Sequence, residues 1–359
     1  MLYRIDAIIA GLGATGRPPD NEPTMPIRVL HVGLGPIGLG VVRQVAGRKG
    51  LTAVGAVDLD PGKVGRDLGD VAELGRKLRL KVSDDVDAVI RATKPDVAVL
   101  CTSSSIAKLV PQVAAIVKRK VPIVSTTEEL AYPTKERRRY ARQIDELAKK
   151  AKVAVVGTGV NPGFVMDALP IMLTGVCESV QKVHVDRIQD ARIRRLPFQK
   201  KIGSGLTPEA FQERVEGGTV RHVGLAESIT MIGDALGWTL DRITDEIAPK
   251  IAEKPIASQF LNVEAGQVCG LIQDGVGYRD GEPVITLHME AYLGAPETYD
   301  AIEITGNPPL RMKLAGGVHG DIATTSIAIN SIPRVLSAAP GLHTMRSLAL
   351  PSFFGGKLA

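Results

Sequence analysis

The sequence is poor in aromatic residues and in cysteine. Phe, Trp and Tyr make up 4 % of 359 residues, too few for the stacking platform on which single-strand binders hold bases. The three cysteines, Cys101, Cys177 and Cys269, are odd in number, far apart and never in a CxxC pair. This excludes a disulfide framework and a cysteine-ligated zinc site. No apolar run approaches the roughly 20 residues that span a bilayer. HExxH and GxSxG with its partners are missing, and His31, His184, His222, His288, His319 and His343 never fall at metal-ligand spacing. No bound metal is expected.

Charge of one sign is also scarce, with 44 basic and 39 acidic residues giving a net +5. Arg137-Arg138-Arg139 is interleaved with Glu136, Asp145 and Glu146, which reads as a solvated helix face rather than a nucleic-acid surface. The small positive balance suits an anionic, phosphorylated ligand. Arg4 and Asp6 interrupt the only apolar stretch at the N-terminus, so no secretory signal is read there and a cytoplasmic location is expected.

What the sequence does contain, in its first half, is alternation. Apolar runs at 27–32, 51–57, 97–101, 122–125 and 153–156 predict buried strands, and 37–45, 106–118 and 133–150 predict helices. Short apolar strands alternating with helices imply βαβ units and a parallel sheet. Past residue 160 the pattern changes. Thr207 before Pro208 reads as a helix start, Gly217-Gly218 as its end, and 224–236 as a further helix. Between 262 and 314 the chain predicts long strands. Asp280-Gly281 is the turn of a hairpin, and Ile285, Leu287, Met289, Ala291 and Leu293 form a buried face. Residues 321–336 predict a helix that packs back on the first domain.

The expected fold class is therefore α/β: a Rossmann doubly wound parallel sheet with a second α+β domain built on an antiparallel sheet. The expected domains are an N-terminal extension at 1–24, outside the fold, a dinucleotide-binding domain at 25–160 and a substrate and dimerisation domain at 161–320. A returning helix and tail occupy 321–359. The extension contains a GxGxxG by letter, Gly11 to Gly16, but Arg17-Pro18-Pro19 follows it and no helix starts there.

Gly33-Leu34-Gly35-Pro36-Ile37-Gly38 is the GxGxxG in the right setting, after a strand and opening a helix. The first glycine makes the tight turn, the second admits a pyrophosphate and the third lets helix and strand pack closely. Asp58 ends the next strand, where a carboxylate accepts the ribose hydroxyls of NAD. Lys63 and Arg66 lie just beyond, so NADP stays open. Thr102, Ser103 and Ser104 end a parallel strand, the edge where such sheets bind ligands; an ordinary polar loop is the alternative. Glu128 and Glu129 follow another strand and are either acids beside a nicotinamide or first-turn acids of a helix. Asn161, Pro162 and Gly163, in the run from Gly157 to Phe164, mark a specific turn where the two domains meet.

The segments Glu128-Glu129-Leu130-Ala131-Tyr132-Pro133, Gly157 to Asp167 and Ala323 to Pro333 together resemble the 2,4-diaminopentanoate dehydrogenase family and the related native NAD(P)-dependent amine dehydrogenases, many of them described as dihydrodipicolinate reductase-like. The resemblance runs from about Ile27 to Leu350. It implies oxidative deamination of a small amine, and the reverse amination of a ketone or aldehyde with ammonia. It also implies NAD or NADP, a homodimer and a catalytic glutamate in the Glu128-Glu129 pair, with Glu128 favoured. Asn161 is expected to touch cofactor and substrate, and Pro162, Gly163 and Thr324 the substrate. Arg187, Arg192, Arg194 and Arg195 are either contacts for a substrate carboxylate or exposed charges. An ammonium substrate needs an anion, and a desolvated glutamate both holds the cation and removes its proton. The rival readings are a dihydrodipicolinate reductase-like imine or enamine reductase, against which the absence of a His-His pair counts, and a non-catalytic NAD(H)-binding sensor, for which no DNA-binding helix-turn-helix is present.

Overall fold

The computed structural model describes residues 25–355. The extension and its Gly11–Gly16 motif lie outside them. The first domain runs β1 (Ile27–Val32), α1 (Pro36–Gly47), β2 (Leu51–Val57), a short α2 (Leu68–Val71), β3 (Val82–Ser83), α3 (Val86–Thr93) and β4 (Val97–Leu100). It continues through α4 (Ile106–Val117), β5 (Ile123–Ser125), α5 (Glu128–Ala131), α6 (Arg138–Ala151) and β6 (Ala154–Gly157). The second domain runs α7 (Ala168–Thr174), β7 (Ser179–Asp190), α8 (Leu196–Lys201), α9 (Pro208–Glu216), α10 (Leu225–Ala235) and β8 (Arg242–Ile251). Small strands β9 (Ile256–Ala257) and β10 (Asn262–Val263) precede β11 (Val268–Arg279), β12 (Glu282–Tyr292), β13 (Tyr299–Asn307) and β14 (Leu310–Ala315). The chain then returns to the first domain through α11 (Gly320–Asn330), α12 (Ile332–Ser337) and β15 (Gly341–His343).

The first sheet has the order β15-β6-β5-β4-β1-β2-β3, and every pair in it is parallel. Its strands are apolar on both faces because helices cover both. One face packs Leu30, Leu100 and Ile123 against Leu109, Val113 and Ile144 of α4 and α6. The other packs Val29, Val99 and Val156 against Val41 of α1 and Ala328, Ile329 and Val335 of α11 and α12. The helix expected at 321–336 breaks at Ser331, where Pro333 lacks the N–H that a continuous helix needs. It does pack on the first domain: Gln44 of α1 donates to Thr325 Oγ1 at 2.6 Å. The helix expected at 133–150 instead begins with a 3-10 turn at Lys135–Arg137 and becomes regular at Arg138.

The second sheet has the order β14-β13-β7-β12-β11-β8. It corrects the expectation of a wholly antiparallel sheet, because β12 and β7 run parallel while the other pairs are antiparallel. The cause is topological. Helices α8 to α10 and two further long strands intervene between β7 and β12, so the chain crosses over and re-enters in the same direction. Asp280 and Gly281 form the β11–β12 turn, both with positive φ (53° and 80°), the conformation a two-residue hairpin turn of the primed type requires. Ile285, Leu287, Met289, Ala291 and Leu293 are all buried. Among the described residues no helix is long and apolar enough to cross a membrane.

Candidate active site

One cleft of about 370 Å³ lies at the carboxyl edge of the first sheet and is closed by the second domain. That volume suits a small ligand. The loops after β1, β4, β5 and β6 each contribute a wall: Gly35-Pro36-Ile37, Cys101 to Ser104, Thr126 with Glu128, and Thr158 to Pro162.

The glycine loop is shaped for a dinucleotide. A Cβ on Gly33 (φ +85°) would stand 2.6 Å from the Cys101 carbonyl oxygen, and one on Gly38 would stand 1.9 Å from that of Gly33. At Gly35 nothing lies within 4 Å, so the loop opens there onto the cleft. Helix α1 begins at this point with no side-chain cap and no acid in its first turn. Its free N–H groups and positive dipole end therefore face the cleft unneutralised, the arrangement that holds a pyrophosphate. These residues fit NAD(P). Asp58 stands outside the cleft lining, at the start of the loop after β2 and against the glycine loop. Its carboxylate accepts the Leu34 N–H at 2.6 Å and the Asp60 N–H at 2.9 Å. Lys63 lies 3.6 Å from Asp58 and 3.1 Å from Asp60.

Glu128 and Glu129 occupy the first turn of the four-residue helix α5. Glu128 lines the cleft. Glu129 does not; its Oε2 accepts the Ile106 N–H at 3.0 Å and its Oε1 the Arg137 guanidinium at 2.8 Å. The turn is tied to the loop after β4 by Thr127 Oγ1 donating to the Ser103 carbonyl at 2.7 Å. Cys101 is half-buried in the cleft lining close by, and desolvation pushes its thiol up to about 11, with the charge of Glu128 contributing. The thiol is therefore neutral at physiological pH.

The run from Gly157 to Asp167 wraps the end of β6. Asn161 and Pro162 line the cleft. Gly163 does not; with φ +123° it shapes the turn, its N–H donating to buried Asp167 at 2.7 Å. Asp167 also accepts the Ser228 hydroxyl at 2.8 Å, and burial pushes its carboxyl above the ordinary range. Thr324 reaches the cleft from α11, its Oγ1 3.4 Å from the Val160 N–H.

The wall facing these loops comes from the second domain and is cationic. Arg187, Arg194, Arg195, Lys201 and Arg221 line it, against Asp321 as its carboxylate. Arg187 is buried and pairs with Asp300 at 2.5 Å. Arg194 pairs with Asp321 at 3.0 Å, donates to Gln189 at 3.0 Å and stacks over Phe198 at 4.0 Å. Arg192 is not part of the site; it is half-exposed and pairs with Asp190. His222 lies among the cations, and burial, then Lys201 and Arg187, push its imidazole down to about 3, so it is neutral. Lys201, Arg221, His222, Gln189, Met289 and Asp321 were not anticipated from sequence. They belong to no motif, and only the fold brings them to one place.

A glycine loop open at its second glycine, an uncapped helix start and a carboxylate on the facing loop define an NAD(P)-dependent oxidoreductase of the Rossmann class. Comparison with known proteins narrows this. The family model for the 2,4-diaminopentanoate dehydrogenase C-terminal domain matches residues 164–359. The chain is 35 % identical over 333 residues to 2,4-diaminopentanoate dehydrogenase of Acetoanaerobium sticklandii, covering 90 % of this chain and 94 % of the relative. It is 22 % identical to an amine dehydrogenase of Streptomyces virginiae, covering 90 % and 96 %. The solved amine dehydrogenase of Mycobacterium smegmatis superposes with a TM-score of 0.81 at 26 % identity, covering 92 % of this chain and 98 % of that one. The chain belongs to the 2,4-diaminopentanoate dehydrogenase family, and it is an NAD(P)-dependent amine dehydrogenase, an oxidoreductase acting on CH–NH2 groups.

Proposed function

We propose that this enzyme deaminates a small primary amine that carries a carboxylate, and runs the reverse amination with ammonia. 2,4-Diaminopentanoate, named for the relative from A. sticklandii, is the first candidate substrate. The observation that carries this reading is the electrical polarity of the cleft. Glu128 stands on one wall, and Arg187, Arg194, Arg195, Lys201 and Arg221 stand on the other. An ammonium group is held at an anion and a carboxylate at cations, so a molecule with both is oriented end to end.

In this reading Glu128 holds the substrate ammonium, takes one proton from it and later activates the water that releases the carbonyl product. The bound nicotinamide supplies the hydride acceptor. Gly33, Gly35, Pro36, Ile37 and Gly38 hold the pyrophosphate on the start of α1. Asp58 faces the ribose, and Thr102, Ser103, Ser104 and Asn161 border the nicotinamide half. Pro162 and Thr324 confine the substrate, and Gly163 acts by shaping the loop. Residues 25–160 form the dinucleotide domain, 161–320 the substrate and dimerisation domain, and 321–359 the returning segment. The face of the second sheet that carries Thr286, His288, Glu290 and Tyr292 is only partly covered, and a second copy of the chain in the cytoplasm is the occupant we assign to it. Sedimentation as a monomer overturns that assignment.

The test of function is reduction of NAD⁺ and NADP⁺ at alkaline pH with a panel of primary amines and diamines, 2,4-diaminopentanoate among them. 4-Hydroxybutanoate, which has the alcohol and the carboxylate but no amine, serves as the alcohol control. Turnover with carboxylate-bearing amines supports the proposal; turnover with the hydroxy acid alone, or preference for amines lacking a carboxylate, overturns it.

A further inference from the structure

Two buried polar atoms on the Glu128 side of the cleft have no hydrogen-bond partner among the described residues: Thr158 Oγ1 and Asn161 Oδ1. Thr158 is 1 % exposed and Asn161 8 %, and both residues line the cleft together with Glu128. Strand register explains the juxtaposition. Ser125 of β5 lies opposite Gly157 of β6, and the Thr158 N–H donates to the Ser125 carbonyl at 2.9 Å. Thr158 therefore leaves β6 beside the point where the chain leaves β5 for Glu128. The amide nitrogen of Asn161 meets only the Met289 sulfur, at 3.7 Å.

Buried polar groups are satisfied in native proteins, and an orphan in a cleft marks the place of a ligand atom. The loop around these two is otherwise well bonded. Val165 N–H donates to the Val160 carbonyl at 2.9 Å, and Gly163 N–H donates to Asp167. The unmet capacity on the wall that carries Glu128 is thus two neutral oxygens, while Arg195 Nε and His222 Nε2 are the unpaired buried atoms of the facing wall among the described residues. The two oxygens and the Glu128 carboxylate all accept hydrogen bonds. Their common complement is a group rich in N–H donors.

We propose that Thr158 and Asn161 complete, with Glu128, the binding site for the transferred nitrogen. Ammonia has three N–H donors and one lone pair. Three acceptors take the donors and leave the lone pair free for the carbonyl carbon. As the C–N bond forms, the carbonyl π pair moves to oxygen. The proton that the now cationic nitrogen must lose passes to Glu128 and from there to that oxygen. Water has two donors and engages all three groups only by accepting from the Thr158 hydroxyl, whereas ammonia donates to all three and keeps its lone pair for the carbonyl carbon, so the site favours nitrogen over the competing nucleophile. This inference rests on the amine dehydrogenase reading and concerns the nitrogen alone.

The test is a steady-state titration of ammonium chloride in the aminating direction. The carbonyl probe is the ketone made by deaminating the best amine of the panel above. The full-length parent, Thr158→Val, Thr158→Ser and Asn161→Leu are compared, with melting temperature and NADH binding measured on each. Loss of one hydrogen bond in the valine variant is expected to raise the ammonia KM roughly tenfold. The KM values for ketone and NADH should stay within about twofold, and serine should restore the parent value. Asn161→Leu should act in the same direction. An unmoved ammonia KM in folded Thr158→Val and Asn161→Leu, with the parent active, overturns this inference and leaves the amine dehydrogenase reading standing. A parent that turns over no amine takes both down.

Discussion

Glu129 is held by the Ile106 N–H and by Arg137, so that of two adjacent carboxylates only its neighbour Glu128 faces the cleft. Glu128→Gln should therefore lower kcat by about 10² to 10⁴, the usual worth of a positioned acid–base group, with the KM for NAD⁺ kept. Glu129→Gln should keep turnover within an order of magnitude and instead lower stability by about 1–3 kcal/mol, the cost of unpairing a part-buried donor. Kinetics and thermal melting on both variants separate the roles; equal losses of kcat would sink this division.

Arg194 is fixed on the cleft wall between Gln189, Asp321 and the Phe198 ring, so a substrate carboxylate would meet a guanidinium already held in place. Arg194→Met should raise the KM for a carboxylate-bearing amine by about 10- to 100-fold, the value of a charged hydrogen bond. A carboxylate-free amine of the same length should be unaffected. If both KM values rise together, the arginine is a structural member of the wall and not a specificity contact.

In the proposed cofactor placement, Asp58 and Lys63 set the choice between NAD and NADP. The carboxylate repels a 2′-phosphate while Lys63 is engaged by Asp58 and Asp60. Asp58→Ser removes the repulsion and leaves Lys63 held by Asp60 alone, so the NADP/NAD ratio of kcat/KM should rise by about tenfold, roughly 1.4 kcal/mol. An unchanged ratio would show that discrimination lies elsewhere.

His31 is buried in β1, and among the described residues neither ring nitrogen has a partner. Burial pushes its imidazole down from 6.5 to about 4. Below 6.5 the unfolded chain takes up a proton that the folded one refuses. The contribution to stability is therefore complete above 6.5 and is lost as pH falls toward 4. The loss is on the order of 3 kcal/mol. Urea unfolding across that range should show the decline, and His31→Leu should remove the His31 share of it, leaving that of His222, whose imidazole is also held low. A slope identical in variant and parent would refute the assignment.

The parallel sheet was legible because its strands are short, mostly apolar runs that alternate with helical segments, the signature of βαβ units. The β11–β12 turn was legible because Asp280-Gly281 is conformationally unusual. Strand β3 was not, since Val82 and Ser83 are too short to show a period. The parallel β7–β12 pair was not either, because direction depends on a crossover and not on any local signal. At the site, the loop ends after β4, β5 and β6 were readable from the rule that ligands bind at the carboxyl edge. Glu128 was favoured there, but the contacts that hold Glu129 off the cleft were not readable, because they come from Ile106 and Arg137, 23 and 8 residues away. The cationic wall was hardest, since Lys201 ends a six-residue helix, Arg221 and His222 sit in a connection without regular structure, and Asp321 opens another helix.

The first sheet is finished by a strand, β15, that the chain reaches only after the whole second domain has been built. The second domain is thus spliced into the first at two seams, Thr158–Pro162 and Val318–Gly320, and both seams border the cleft. An excision between them removes the cationic wall as one cassette. The glycine loop, Glu128 and the Gln44–Thr325 clasp stay in place. Chimeras that graft a relative's cassette onto this frame would exchange what is recognised without rebuilding what reacts.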